Sequence, residues 1–114
     1  MSNVVFYNSY KLKKGASIPD FLLAKSNLTQ QQVSKNKGWI SSTYLREGDL
    51  WADYSVWETM EDFKAFVTAA RANPTDLAKN MYSFIDSSTS ESHTYTVEKY
   101  ITSEGSYGQS NQTL

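Results

Sequence analysis

The sequence predicts one α+β domain whose strands and helices run in the order β-α-β-β-α-β. Three observations carry that prediction. Two capped, amphipathic segments are each flanked by stretches rich in Val, Tyr, Phe and Trp. A Gly-containing turn joins the second and third of those stretches, as in a β-hairpin. The length, 114 residues, suits one domain and is too short for two.

Each element follows from local chemistry. Val4 to Lys11 has no breaker and reads as the first strand, closed by Lys13-Lys14-Gly15. Ser17 is placed to cap a helix, with Pro19 and Asp20 in its first turn, and Ile18, Phe21, Leu22, Leu28 and Val33 recur at roughly helical spacing. That helix ends in polar residues by Asn36-Lys37-Gly38. Trp39 to Arg46 and Leu50 to Glu58 form a hairpin around Glu47-Gly48-Asp49. Thr59 caps the second helix, with Glu61 and Asp62 where the helix dipole favours acids and Met60, Phe63, Phe66, Val67 and Ala70 as its apolar stripe. Asn73 and Pro74 open a short helix carrying Leu77, Met81 and Phe84. Ser87 to Ser92 reads as a polar loop, and Thr94 to Ile101 as the last strand. The domain is expected over residues 1–101, and the Ser/Gly/Gln/Asn-rich residues 102–114 as a flexible tail.

Two successive β-α-β units joined by a hairpin make the split β-α-β, or ferredoxin-like, arrangement. The first and third strands are expected side by side and antiparallel, with both helices on one face. The third strand then puts Trp51, Asp53, Ser55 and Trp57 on one side and Ala52, Tyr54 and Val56 on the other, and the first strand divides into Val4, Phe6 and Tyr10 against Val5 and Tyr7. Two largely apolar faces need two covers, and the helices supply one. A second copy of the chain is the expected cover, which predicts a homodimer.

Composition narrows the chemistry. Eleven basic and twelve acidic residues give a net charge of −1, without the basic footprint of nucleic-acid binding. With no cysteine there is no disulfide and no thiolate nucleophile or ligand, and with one histidine, His93, no metal site is expected. An ordinary surface imidazole is the plain reading of His93. The N-terminal stretch resembles no signal peptide and no segment reaches membrane-spanning length, so a cytoplasmic location without a membrane partner is expected.

The stretch Val56-Trp57-Glu58-Thr59-Met60-Glu61-Asp62-Phe63 resembles the "W-x-S/T, two acids, apolar" segment of the antibiotic biosynthesis monooxygenase (ABM-like) family. Gly38-Trp39 is similar to that family's Gly-aliphatic start of the second strand, and the element order agrees from Val4 to Ile101. The resemblance implies a dimeric α+β barrel in which two ferredoxin-like sheets face each other with the helices outside. It also implies a cofactor-independent monooxygenase acting on a phenolic or polycyclic aromatic substrate. Such an enzyme binds the ring, helps it become an anion that reacts with oxygen, and excludes water.

The family often carries an Asn four residues before the motif Trp. This chain has Asp53 there, which when ionised accepts but cannot donate a hydrogen bond. That departs from an oxyanion-holding role and suits a base, while a salt bridge or polar bond at the sheet edge is its structural alternative. Asn8 resembles the first-strand Asn of haem-degrading relatives, but Phe66 stands where their Trp is expected and Asp76 near the place of their axial His. The haem reading therefore lacks its ligand, and no cofactor is expected. The candidate catalytic residues are Asp53 and Asn8, and Trp57, Phe6, Phe63, Phe66 and Met81 are candidates to bind a small apolar or aromatic molecule. Ordinary core packing would explain the same aromatic stripe. Two readings stay open: a monooxygenase, and a non-catalytic binding or interaction protein of the same fold.

Overall fold

The computed structural model describes residues 2–108. Its elements are β1 (Val4–Leu12), α1 (Ile18–Gln31), a short 3₁₀ turn (Val33–Lys35), β2 (Trp39–Glu47), β3 (Leu50–Trp57), α2 (Met60–Ala72), α3 (Asp76–Tyr82), β4 (Ile85–Thr96), β5 (Lys99–Thr102) and β6 (Gly105–Gly108). The first four strands form one antiparallel sheet in the order β2-β3-β1-β4. This is the expected ferredoxin-like topology, with β1 and β3 antiparallel at its centre.

The helices begin where side-chain oxygens relieve their unpaired N–H groups. Ser17 Oγ accepts from the Asp20 amide and Thr59 Oγ1 accepts from the Asp62 amide. The third cap differs from expectation. Thr75, not Asn73, accepts from the Ala78 amide, so α3 starts two residues after Pro74. Gly38 matters at the entry to β2. Its φ is 86°, and a Cβ there would collide with the Asp62 side chain in the first turn of α2.

The C-terminal third departs most from the sequence reading. Ser87 to Ser92, expected as a loop, lies inside β4. The register explains the polar composition. Between Ser9 and Lys11 of β1 the partner strand steps from Glu91 to Asp86, so extra residues bulge out of the ladder. The Lys11 amide there donates to Thr89 Oγ1 at 2.8 Å. Strand β4 ends at Thr96, before the expected Ile101. Beyond it, the end of the expected last strand pairs as β5 (Lys99–Thr102) with the start of the expected tail, β6, in a separate two-stranded ribbon. Residues 109–114 of that expected tail lie outside the described residues.

Two apolar clusters fill the space between sheet and helices. One joins Tyr10, Phe21, Ala24, Leu28, Trp51, Met81 and Ile85. The other joins Val4, Trp57 and Phe63, with Phe6 and Phe66 packed against it. Trp57 is fully buried, its ring stacked on Phe66 at 4.9 Å and edge-on to Phe63 at 5.9 Å, and its indole N–H donates to Ser55 Oγ. Among the described residues no helix is long and apolar enough to cross a membrane.

Candidate functional site

The strand register lines up one polar rung across the whole sheet. Tyr44 on β2 opposes Asp53 on β3, Asp53 opposes Asn8 on β1, and Asn8 opposes Ser92 on β4. Directly opposed residues share a sheet face, so all four project to the helix side. That side also carries Val4, Phe6, Tyr10, Trp51, Ser55 and Trp57, as the strand alternation predicts.

Helix α1 roofs one end of this rung. Its buried stripe is Phe21, Ala24, Lys25 and Leu28, a run at helical spacing that contains a lysine. Lys25 is 7% exposed, and its ammonium lies 2.6 Å from Asp53 Oδ2. The same oxygen accepts a hydrogen bond from the Tyr10 hydroxyl at 2.9 Å. The rings of Tyr44, Tyr10 and Phe21 surround the ammonium, with centroids 5.2, 5.4 and 5.8 Å away. Tyr44 and Thr29 join their hydroxyls in a short hydrogen bond, and Thr29 Oγ1 also donates to the Lys25 carbonyl at 3.0 Å.

This network forms one wall of a cavity of about 130 Å³ between the two apolar clusters. Phe6, Leu28, Val33, Phe66, Ala70 and Met81 supply its apolar lining. Lys25, Thr29, Ser42, Tyr44, Asp53 and Tyr82 are among its polar residues. Burial, followed by the Asp53 carboxylate and the hydrogen bond donated to it, pushes the Tyr10 phenol far above the ordinary tyrosine range. Burial raises the Tyr44 phenol as well, although its bond to Thr29 pulls the other way. Tyr82 shifts upward through burial and then Asp53, yet 60% of the residue is exposed, so solvent screening makes this the weakest of the three effects. The phenols are therefore held as neutral hydroxyls, able to donate.

The predicted site residues divide. Asp53, Phe6, Phe66 and Met81 line the cavity. Trp57 and Phe63 do not; both are core, because α2 packs Phe63 and Phe66 onto Trp57 at the end of β3. Asn8, expected to converge with Asp53 and Trp57 on one cavity, does not line it either. Its Oδ1 accepts from Ser92 Oγ at 2.9 Å and Ser90 Oγ at 3.1 Å, on the β4 side. His93 opposes Tyr7 on the other sheet face and stacks on Tyr95 at 5.9 Å. Among the described residues no three His, Asp or Glu side chains gather as a metal site.

Solved structures share this fold. SnoaB, a cofactor-independent oxygenase from Streptomyces nogalater, superposes with a TM-score of 0.67 at 20% identity, over 85% of this chain and 94% of that one. A monooxygenase from the gene ActVA-Orf6 of Streptomyces coelicolor, solved in complex with nanaomycin D, gives 0.60 at 15% identity, over 83% and 87%. The chain has the ABM-like fold. A NIPSNAP family protein of unknown function from Agrobacterium tumefaciens shares the fold too, with a TM-score of 0.61 at 15% identity over 82% and 86%. No family profile matches the sequence, and no curated protein sequence matches it significantly.

Within this ABM-like fold, sequence reasoning found Asp53 and missed Lys25, Thr29, Tyr44 and Tyr82. A signal for Lys25 existed. It stands four residues after Phe21 and three before Leu28, in register with the buried stripe rather than the wet face. Tyr44 had none, because its value comes from facing Asp53 across two strands.

Proposed function

We propose that this chain binds a small hydroxylated aromatic molecule in the cavity under α1 and acts on it as a cofactor-independent monooxygenase. The observation that carries the reading is an acceptor-only carboxylate, Asp53, in the wall of an otherwise largely apolar cavity. The oxygenases of like fold support the activity by analogy, at identities that speak for fold alone. Asp53 is the candidate base. It removes the proton of a phenolic hydroxyl, and the resulting anion supplies electrons to dioxygen. One oxygen atom replaces the hydrogen of a ring C–H and remains as a carbonyl. The other leaves as water with that hydrogen and the phenolic proton, so the ring ends as a quinone and the substrate is both reductant and oxygen acceptor. The aromatic walls hold the ring and exclude water.

A homodimer belongs to the same reading. On the helix-free face, Val5, Tyr7, Tyr54 and Val56 lie around β1 and β3, with Tyr95 53% exposed beside them on β4. A second sheet would cover them. Sedimentation should give about twice 12.9 kDa, and Tyr54→Lys should shift the chain toward monomer by burying an unpaired charge.

Oxygen uptake tests the activity. Phenols and hydroquinones are added to the protein without flavin, haem or metal. Consumption above the uncatalysed rate, lost in the charge-free double variant Lys25→Met/Asp53→Leu, is expected. A flat trace across the panel favours the second reading, a non-catalytic binder, which has its own support. Asp53 already holds Lys25 and Tyr10 in a satisfied network, as a structural role would require.

A further inference from the structure

Lys25 is the least expected group in the cavity wall. A long cationic side chain on a solvent-bathed helix normally carries its charge outward. Here the ammonium turns inward, 7% exposed, and meets a carboxylate and three ring faces. Both polar contacts on Asp53 fall on Oδ2, and Oδ1 takes part in neither. A donor and an acceptor thus sit side by side in one wall of an apolar cavity.

We propose that Lys25 and Asp53 form a recognition pair for one phenolic hydroxyl, with Lys25 as the counter-charge to the anion that forms. The proposal rests on the reading of this cavity as an aromatic site. A neutral phenol donates its O–H to Asp53 Oδ1 and accepts from the Lys25 ammonium at the same oxygen. When the proton moves, the ligand O–H bond breaks and a carboxyl O–H bond forms on Asp53; no electron is transferred in this step. Asp53 is then neutral, and Lys25 exchanges its carboxylate partner for the phenolate. With the aspartate alone the phenolate would form in a largely apolar wall without a counter-charge, and the lysine supplies it. The pair also defines a substrate class, which is a free phenol rather than its ether. An ether cannot donate, and its binding leaves the partly buried carboxylate without a new partner.

The test uses two probes of nearly equal shape, 4-nitrophenol and 4-nitroanisole, with the full chain at a pH where free nitrophenol is neutral. The expected result is binding of the phenol at least about a hundredfold tighter than the ether. The absorption of the bound phenol should move toward that of nitrophenolate. Lys25→Arg should keep the preference. Single charge removal endangers folding, so the decisive variant is Lys25→Met/Asp53→Leu, which removes both charges. It should bind the two probes within about threefold of each other and show no spectral shift. Retained discrimination in that double variant overturns the pair. Equal binding of both probes by the wild-type chain overturns the pair and leaves the aromatic cavity standing. Binding of neither probe overturns both.

Discussion

The polar rung Tyr44-Asp53-Asn8-Ser92 crosses one sheet face, yet its two ends live in different environments. At the β2–β3 end, α1 closes over Asp53 and Tyr44 and adds Lys25 and Thr29. At the β1–β4 end, Asn8 bonds to Ser90 and Ser92, and the helix-side residues Ser90, Ser92 and Thr94 of β4 are exposed. Side-chain chemistry alone does not separate them, since each end pairs an acceptor with hydroxyl donors. Cover does. Under a helix the same kind of group gains a buried cation, raised phenols and an apolar cavity, while in the open it makes ordinary surface hydrogen bonds. Where the helix lies therefore decides which polar residue lines the cavity.

The largest effect that can break this contrast is loss of one buried charge. Lys25→Met should lower the unfolding free energy by about 3–5 kcal/mol in urea titration, because it strands the Asp53 carboxylate. Adding Asp53→Leu should recover most of the loss. A single-variant cost below about 1 kcal/mol would mean that the pair behaves as a solvated surface bridge, and the two ends would then not differ in kind.

The next effect is alkaline. Tyr10 is raised above the ordinary value of 10.0 in the folded state, through burial and then Asp53. Below that value both states keep the proton and stability is unaffected. Above it the unfolded chain releases a proton that the folded chain retains, so stability must fall as pH rises past about 10. Denaturation followed across that range should show the decline, and Tyr10→Phe should make it shallower, leaving the part carried by Tyr44. An equal slope in the variant would assign the decline elsewhere.

The smallest effect belongs to the open end. Asn8→Val should cost about 1 kcal/mol, the worth of its bonds to the two serines. It should leave the affinity for 4-nitrophenol unchanged in a direct binding titration. A loss of affinity would restore Asn8 to the ligand site.

The first three strands, the first two caps and the sheet topology were legible because each rests on local signals: apolar alternation, Ser17 and Thr59 as caps, Gly48 in a hairpin turn. Strand β4 was not. Its bulge puts serines and threonines into a ladder whose partner, β1, lies some eighty residues away in sequence, and local polarity there imitates a loop. Asp53 could be singled out only through the family resemblance, which places a polar residue four positions before the motif Trp57. The division of Asn8 from Asp53 could not, because alternation fixes the face of a residue but not the reach of a helix above it. Lys25 lies between these cases, visible only once the stripe of α1 is drawn with a charge in it.

The contrast is tested most directly by mapping where a phenol binds. Amide chemical shifts of the labelled chain are followed by NMR as 4-nitrophenol is added. The changes should cluster at Lys25, Thr29, Tyr44 and Asp53, with Ser90 and Ser92 unmoved. Changes centred on Asn8, Ser90 and Ser92, with the α1 end silent, would contradict the account.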